Sequence, residues 1–152
     1  MKYILLFLSM NAIANNYIAY GDIYDADTEG KYMYTLGYES GDWRTEITHW
    51  ESYTRTSWYK NHPEWRHAPL THVKKHTVIS LTNRIYRKGV FFIDFGVAIT
   101  DRLSSVNSSH LVFRQNFGAK YKRWSIYLRH TSNAGLEGVN AGEDAIVIEY
   151  SF

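Results

Sequence analysis

The sequence predicts an all-β protein, specifically an eight-stranded antiparallel transmembrane β-barrel of the outer-membrane type. The composition favours strands, because 16% of the 152 residues are aromatic and only 2 are proline. Eight segments show apolar and polar residues in alternation, which is the pattern of strands with two different faces. The connections between them are alternately long and short, as in outer-membrane barrels, which have long outer loops and short periplasmic turns.

The N-terminal residues have the features of a secretory signal peptide. Lys2 supplies a positive charge, residues 4–10 form an apolar stretch, and residues 12–14 read Ala-Ile-Ala, a typical cleavage site. The apolar stretch is too short to span a bilayer as a helix. We therefore expect residues 1–14 to be removed and residues 15–152 to form a single β-barrel domain in the bacterial outer membrane.

The amino-acid composition also limits the possible partners and the source of stability. The formal net charge is only +2, so the chain lacks the basic excess that nucleic-acid-binding proteins carry, and no nucleic-acid partner is expected. The chain has no cysteine, although small secreted domains commonly rely on disulfides. Closure of a barrel within a membrane is another way to stabilise an exported chain of this kind.

The eight predicted strands follow one another from the N-terminus without a linker or an internal repeat. They are 17–24, 31–39, 44–57, 73–86, 90–99, 110–119, 122–132 and 144–152. The long connections are 25–30, 58–71, 101–109 and 133–143, and the short ones are 40–43, 87–89 and 120–122. With the N-terminus on the inner side, all four long connections face outward.

The faces of the strands follow from their two-residue period. The strand at 44–57 is the least regular, and we expect a bulge or a shifted register there. In later strands one face is large and apolar, with Phe91, Ile93, Phe95, Val97 and Ile99, then Leu111, Phe113 and Phe117, then Ile146, Ile148, Tyr150 and Phe152. The opposite faces carry polar or charged residues. This pattern fits an apolar exterior, although a soluble barrel with an apolar interior would alternate in the same way.

Charged residues on the predicted inner face are expected to fill the lumen. They include Arg84, Asp94, Arg114 and Glu149. A barrel of eight strands has an interior just wide enough for its side chains. We therefore expect a polar network inside the barrel and no channel.

The end of strand 122–132 carries a histidine and a serine on its apolar face. His130 and Ser132 are two residues apart, and the next strand starts beside them with Asp144 on the same face. The neighbouring acid, Glu143, has the opposite parity and should point inward. His130, Ser132 and Asp144 are therefore predicted to share one outward surface at the outer rim of the barrel.

These side chains are the types that a serine hydrolase uses. A serine nucleophile needs a histidine base, and the histidine needs an acid that fixes its tautomer. The β-carbons of His130 and Ser132 should be about 6–7 Å apart, so a small twist would bring the hydroxyl to the imidazole. Glu143 is the rival acid if the strand entry is bulged. An ordinary polar hairpin, common in any barrel, is the structural alternative.

The loop after the serine has a composition that suits an oxyanion hole. Asn133, Ala134 and Gly135 form a compact stretch in which the glycine permits unusual backbone angles. Backbone amides of such a loop can donate to a developing oxyanion. Asn140 could support the loop or the oxyanion.

The run LRHTSNAGLEGVNAGED, residues 128–144, resembles the C-terminal signature of the PagL-type lipid A 3-O-deacylases. Those outer-membrane enzymes carry a His-x-Ser-Asn-Ala-Gly segment, then an Asn and a Gly, then an acid. Residues 79–119 resemble the middle strands of the family more loosely. The first half of the chain is similar only in general character.

The resemblance implies an outer-membrane serine esterase that hydrolyses the 3-O-linked acyl ester of lipid A and releases a 3-hydroxy fatty acid. It makes Ser132 the nucleophile and His130 the general base, on a surface that faces lipid. The family's acid is a Glu and its position falls on Asp144, which is one methylene shorter, so Glu143 stays the rival. The segment 133–135 would form the oxyanion hole, and a later Asn of the family matches Asn140.

The resemblance also implies the partners of the protein. Lipid A, as part of lipopolysaccharide, would be the substrate, outer-membrane lipids would surround the barrel, and a homodimer is compatible with this. No metal or cofactor is expected. The four histidines at positions 62, 67, 72 and 76 match no tight metal-binding spacing. The basic residues Lys60, Arg66, Lys74 and Lys75 could meet lipid A phosphates or be ordinary solvated loop charges.

A second function of a different class fits the same fold. A non-catalytic small outer-membrane barrel with a surface or adhesion role would also be exported and would also alternate along its strands. In that case substitutions at His130 or Ser132 would leave the lipid composition of the membrane unchanged. A soluble barrel that binds an apolar ligand inside is the third alternative.

Overall fold

The computed structural model describes residues 15–23, 31–55, 71–104, 106–136 and 142–152. These contain ten strands: β1 (Asn15–Ile23), β2 (Tyr32–Ser40), β3 (Trp43–Trp50), β4 (Tyr53–Arg55), β5 (Thr71–Val73), β6 (His76–Lys88), β7 (Phe91–Thr100), β8 (Leu111–Tyr121), β9 (Trp124–Ser132) and β10 (Glu143–Ser151). The predicted signal peptide lies outside the described residues. Among the described residues, no helix has the length and hydropathy needed to cross a lipid bilayer.

Eight of the strands form a closed antiparallel barrel in the order β1-β10-β9-β8-β7-β6-β3-β2. The first and last strands close the ring, with Tyr17 opposite Ser151 and Ile23 opposite Ala145. Closure removes the free strand edges that an open sheet would expose. The predicted all-β fold and the number of barrel strands are therefore confirmed, and the architecture is that of an outer-membrane-type barrel.

The irregular strand predicted at 44–57 differs from the structure in both its length and its register. The barrel strand β3 ends at Trp50, which pairs with His76 at the start of β6. Beyond it, β4 pairs with β5 in a separate two-stranded sheet. The barrel strand β3 ends at Trp50 because its partner, β6, begins at His76 and offers no further residue for pairing. The register shift lies instead between Arg84 and Tyr86 of β6, where Ile85 is the extra residue of a bulge.

Large apolar side chains cover the outside of the barrel, and the buried charged side chains face inward. Large exposed side chains cover the outside of every barrel strand, among them Ile18, Leu36, Ile47, Ile79, Ile99, Phe117, Leu128 and Ile148. This orientation is the one that the membrane barrel predicts and the opposite of a soluble barrel with an apolar interior. At the end with short turns, Trp43, Tyr121 and Trp124 are also exposed, as in the aromatic girdle of a membrane protein.

The interior holds a network of buried ion pairs together with a cluster of buried apolar side chains, among them Ile23, Met33, Trp50 and Val78. Arg44 contacts Asp94 at 3.2 Å and also pairs with Glu46 and Glu149. Glu46 in turn accepts hydrogen bonds from Arg114 at 2.8 Å and from Arg129 at 2.6 Å. Further along the barrel, Arg84 pairs with Asp94 at 2.8 Å. The predicted polar lumen is confirmed, and such pairing is what allows charges to be buried.

The short turns lie together at one end of the barrel. Each has two residues between the strands, and the first of them has a positive φ: Gly41 at 60°, Gly89 at 60° and Lys122 at 56°. The strand ends that the long connections join lie at the opposite end, as the sequence predicts. That end, called the outer end below, carries the junction between β9 and β10.

Candidate active site

The hairpin of β9 and β10 brings a histidine and an acid together on the outer surface. Antiparallel pairing places Asp144 directly opposite His130. His130 Nδ1 lies 2.7 Å from Asp144 Oδ1, and both side chains are partly exposed. An ionised carboxylate can only accept, so Nδ1–H is the donor and, in a neutral ring, Nε2 is left to accept a proton. The contact forms in regular pairing, so the shorter acid needs no shift of the strand.

Ser132 follows on the same face but is more covered than the sequence suggests. Its exposed fraction is 6%. Gly142 lies close to both side chains, since an added β-carbon there would be 2.6 Å from His130 Cε1 and 3.2 Å from Ser132 Cβ. The imidazole and the serine therefore converge on the same glycine. Within the described part of the chain they are not hydrogen-bonded to each other, and in unliganded enzymes catalytic hydrogen bonds are often long.

The loop after Ser132 is a strained turn. Leu136 N–H donates to Asn133 O at 3.0 Å, and the two residues between them both have positive φ, 52° at Ala134 and 75° at Gly135. For an alanine this left-handed conformation is uncommon, and strain of this kind clusters at functional sites. The Gly135 amide donates to Asn133 Oδ1 at 2.9 Å, so that bond must open before this amide can serve an oxyanion. Asn140 lies outside the described residues.

Glu143, the rival acid, points into the barrel as its parity predicts. Its carboxylate is buried and accepts hydrogen bonds from Tyr53 at 3.0 Å, from His76 Nε2 at 3.1 Å and from Asn107 at 3.3 Å. It therefore lies on the face of β10 opposite to His130. Asp144 is the acid that the fold places beside the imidazole.

The cluster around Glu143 was not predicted from the sequence. His76 Nδ1 lies 3.1 Å from Lys74 O, a carbonyl that can only accept, so His76 donates from both ring nitrogens and carries a positive charge. Trp50 stacks on the imidazole with ring centroids 6.0 Å apart. The sequence signal for this cluster was that Glu143 occupies an inward-facing position of its strand. A buried carboxylate needs a hydrogen-bonding partner, but the sequence does not show which residue provides it.

A second polar side chain lies next to the histidine on the outer surface and was also missed. Gln115 of β8 is opposite His130, and Phe113 is opposite Ser132. Gln115 is exposed and interrupts the apolar face between Phe113 and Phe117. The sequence signal was this single interruption of the alternation.

Comparisons with protein-family models, with curated proteins and with solved structures give no match to this chain. The geometry of the site is therefore the structural observation that bears on its function.

Proposed function

We propose that this protein is an outer-membrane serine esterase that hydrolyses the 3-O-linked acyl ester of lipid A. The observation that carries the proposal is the 2.7 Å contact between His130 Nδ1 and Asp144 Oδ1, beside Ser132 on the outward face of the barrel. Histidine, serine and acid occur there within the segment that resembles the deacylase signature. A carboxylate hydrogen-bonded to an imidazole is costly on an apolar surface, and polar groups in such a place mark functional sites.

The chemistry follows from the three side chains. Ser132 Oγ attacks the ester carbonyl while His130 Nε2 takes its proton, and Asp144 holds the imidazole and stabilises its charged form. Collapse of the tetrahedral intermediate releases the sugar hydroxyl, which receives the proton from His130. Water, activated by the same nitrogen, then attacks the acyl-enzyme and releases the 3-hydroxy fatty acid. Neither step needs a metal or a cofactor.

The apolar exterior supports a membrane as the place of this reaction. Leu128 and Ile146, opposite each other on the two strands that carry the site, are both exposed. Acyl chains of a lipid would pack against them while the ester reaches the rim. The substrate would therefore approach from the side of the barrel and not through its interior.

The first prediction concerns the nucleophile. In a Gram-negative host that makes this protein, mass spectrometry of lipid A should show the loss of one hydroxyacyl chain. Ser132→Ala should abolish that loss because, among the described residues, Ser132 is the hydroxyl beside His130 on this face. Ser40→Ala is the matched control, since Ser40 is exposed at the opposite end of the barrel. It should behave as the wild type.

Two results would contradict the proposal. Continued deacylation by Ser132→Ala would show that another group is the nucleophile. Intact lipid A with a wild-type protein that is correctly inserted in the outer membrane would instead favour the non-catalytic barrel with a surface role.

A further inference from the structure

A pocket of about 450 Å³ opens at the outer end of the barrel, between the link from β5 to β6 and the connection from β7 to β8. Its lining residues are His72, Lys74, Arg102, Leu103, Ser104 and Ser108. Two of these carry permanent positive charges, one is an imidazole and two are hydroxyls. No carboxylate lines the pocket among the described residues.

The positive charges of the pocket are not neutralised by the described part of the protein. Lys74 and Arg102 form no ion pair with any described residue. The adjacent acid, Asp101, does not line the pocket, and its carboxylate accepts the backbone N–H of Thr77 at 2.9 Å. An anion could therefore meet both cations directly, and a guanidinium beside an ammonium suits a phosphate group in particular.

The hydroxyl of Ser104, in the lining of the pocket, can donate a hydrogen bond to an anion. Ser104 Oγ accepts the backbone N–H groups of Val106 at 3.3 Å and of Asn107 at 3.0 Å. With its oxygen engaged as an acceptor, its own hydrogen is left to donate. Leu103, which is 49% exposed, adds an apolar contact at the same pocket.

The lining of the pocket is hydrogen-bonded to the loop that follows the proposed nucleophile. Ser108 in its lining accepts a hydrogen bond from Asn133 Nδ2 at 3.2 Å, and Asn133 directly follows Ser132. The same connection also contacts the hairpin at Gly142, whose N–H donates to Val106 O at 3.2 Å. A ligand in the pocket would therefore contact the connection from β7 to β8, which is itself hydrogen-bonded to both ends of the loop between β9 and β10.

We propose that this pocket binds a phosphate group on the sugar head of the lipid whose ester is cleaved at Ser132. The inference rests on the proposed function and extends it from the reaction to the recognition of the substrate. Lys74 and Arg102 bind the phosphate, Ser104 donates to it, and the head group is thereby held with its acyl ester beside Ser132.

Binding can be measured apart from catalysis in a Ser132→Ala background. The probes are bisphosphorylated lipid A and its fully dephosphorylated form, each titrated into the detergent-solubilised barrel by calorimetry. The Lys74→Gln/Arg102→Gln double variant should bind the phosphorylated lipid at least tenfold more weakly and the dephosphorylated lipid equally well. Lys88→Gln, an exposed cation at the other end of the barrel, is the matched control and should change neither.

With Ser132 intact, the double variant should raise KM for the phosphorylated lipid about tenfold with little change in kcat, because the phosphate is bound equally in the ground and transition states. Equal affinity of the two lipids for Ser132→Ala would overturn the pocket proposal even if hydrolysis is observed. Phosphate-dependent binding that requires Arg102, in a protein that hydrolyses nothing, would support the pocket and reject the esterase. Binding of inorganic phosphate alone, with no preference for the phosphorylated lipid, would identify a free-anion site and overturn the lipid proposal.

Discussion

Two histidine–carboxylate pairs lie on opposite faces of the barrel wall at its outer end, and they differ in the number of hydrogen bonds that they form with other residues. His76 and Glu143 are buried inside, each with a side chain only 2% exposed. His130 and Asp144 lie outside, at 38% and 41%. The two acids are neighbours in sequence and point to opposite sides of the wall, because successive residues of a strand alternate between faces.

The inner pair is fully engaged, whereas the outer pair keeps one functional atom free. Glu143 accepts three hydrogen bonds and His76 donates from both ring nitrogens. His130 bonds Asp144 through Nδ1 only, and its Nε2 bonds no described residue. A pair of an imidazole and a carboxylate therefore stabilises the structure on the inner face, whereas such a pair is available for chemistry on the outer face.

After Ser132→Ala, the largest expected effect on hydrolysis comes from Asp144→Asn. The amide keeps the shape of the side chain but cannot stabilise the imidazolium or fix the correct tautomer, so the rate should fall by about 10³- to 10⁴-fold. Initial rates on purified lipid A measure it, and migration of the unheated protein on a gel checks that the barrel is folded. A loss smaller than that caused by Glu143→Gln would refute the assignment of the acid.

Gly142→Ala should reduce the rate by about ten- to a hundredfold, since a misplaced catalytic group of this kind costs about that much. The new β-carbon would meet His130 Cε1 at 2.6 Å, and the φ of 71° is unfavourable for alanine. Gly89→Ala is the matched control, with a φ of 60° but nothing within 4 Å of the added carbon, in a short turn at the opposite end of the barrel. Equal losses in the two variants would mean that backbone strain, and not displacement of the imidazole, is responsible.

Asp144→Glu installs the acid of the family that residues 128–144 resemble. Because His130 and Asp144 are already 2.7 Å apart in regular pairing, the longer side chain must bend or tilt, and we expect the rate to fall by only about three- to tenfold. The same kinetic assay measures it. A rate above that of the wild type would show that Asp144 is too short in the working enzyme.

Glu143→Gln should have the smallest effect on the rate, less than about threefold, because this acid does not contact His130. Its effect should fall on stability instead, with a loss of about 3 kcal/mol, since a buried charge on His76 is left without its counter-charge. Denaturant unfolding of the barrel in detergent measures that loss. An unchanged free energy of unfolding, together with a lost rate, would reverse the roles given to the two pairs.

Much of the barrel could be predicted because its wall obeys one simple rule along its whole length. Apolar side chains outside and polar ones inside make the two-residue period visible in β7, β8, β9 and β10. The pairing of His130 with Asp144 follows from the same rule, since one hairpin joins their strands. Here local sequence determines local geometry.

The features that could not be predicted from the sequence depend on contacts between segments that are distant in the chain. Glu143 accepts hydrogen bonds from Tyr53, His76 and Asn107, which are separated from it in the sequence by 90, 67 and 36 positions. The two-residue period of a strand shows that Glu143 points inward, but it does not show which side chains of other strands it will contact. The end of β3 at Trp50 depends on where its partner β6 begins. The contact between Gly142 and Ser132 forms only where the connection from β9 to β10 ends beside the start of β10.

The filled lumen has a consequence for the cell that would make this protein. Arg44, Glu46 and Asp94 are fully buried and paired across the interior, so the described side chains occupy the middle of the lumen. A barrel filled in this way has no room for a channel. We therefore expect that adding many copies of this protein to a membrane would leave the permeability of that membrane to solutes unchanged.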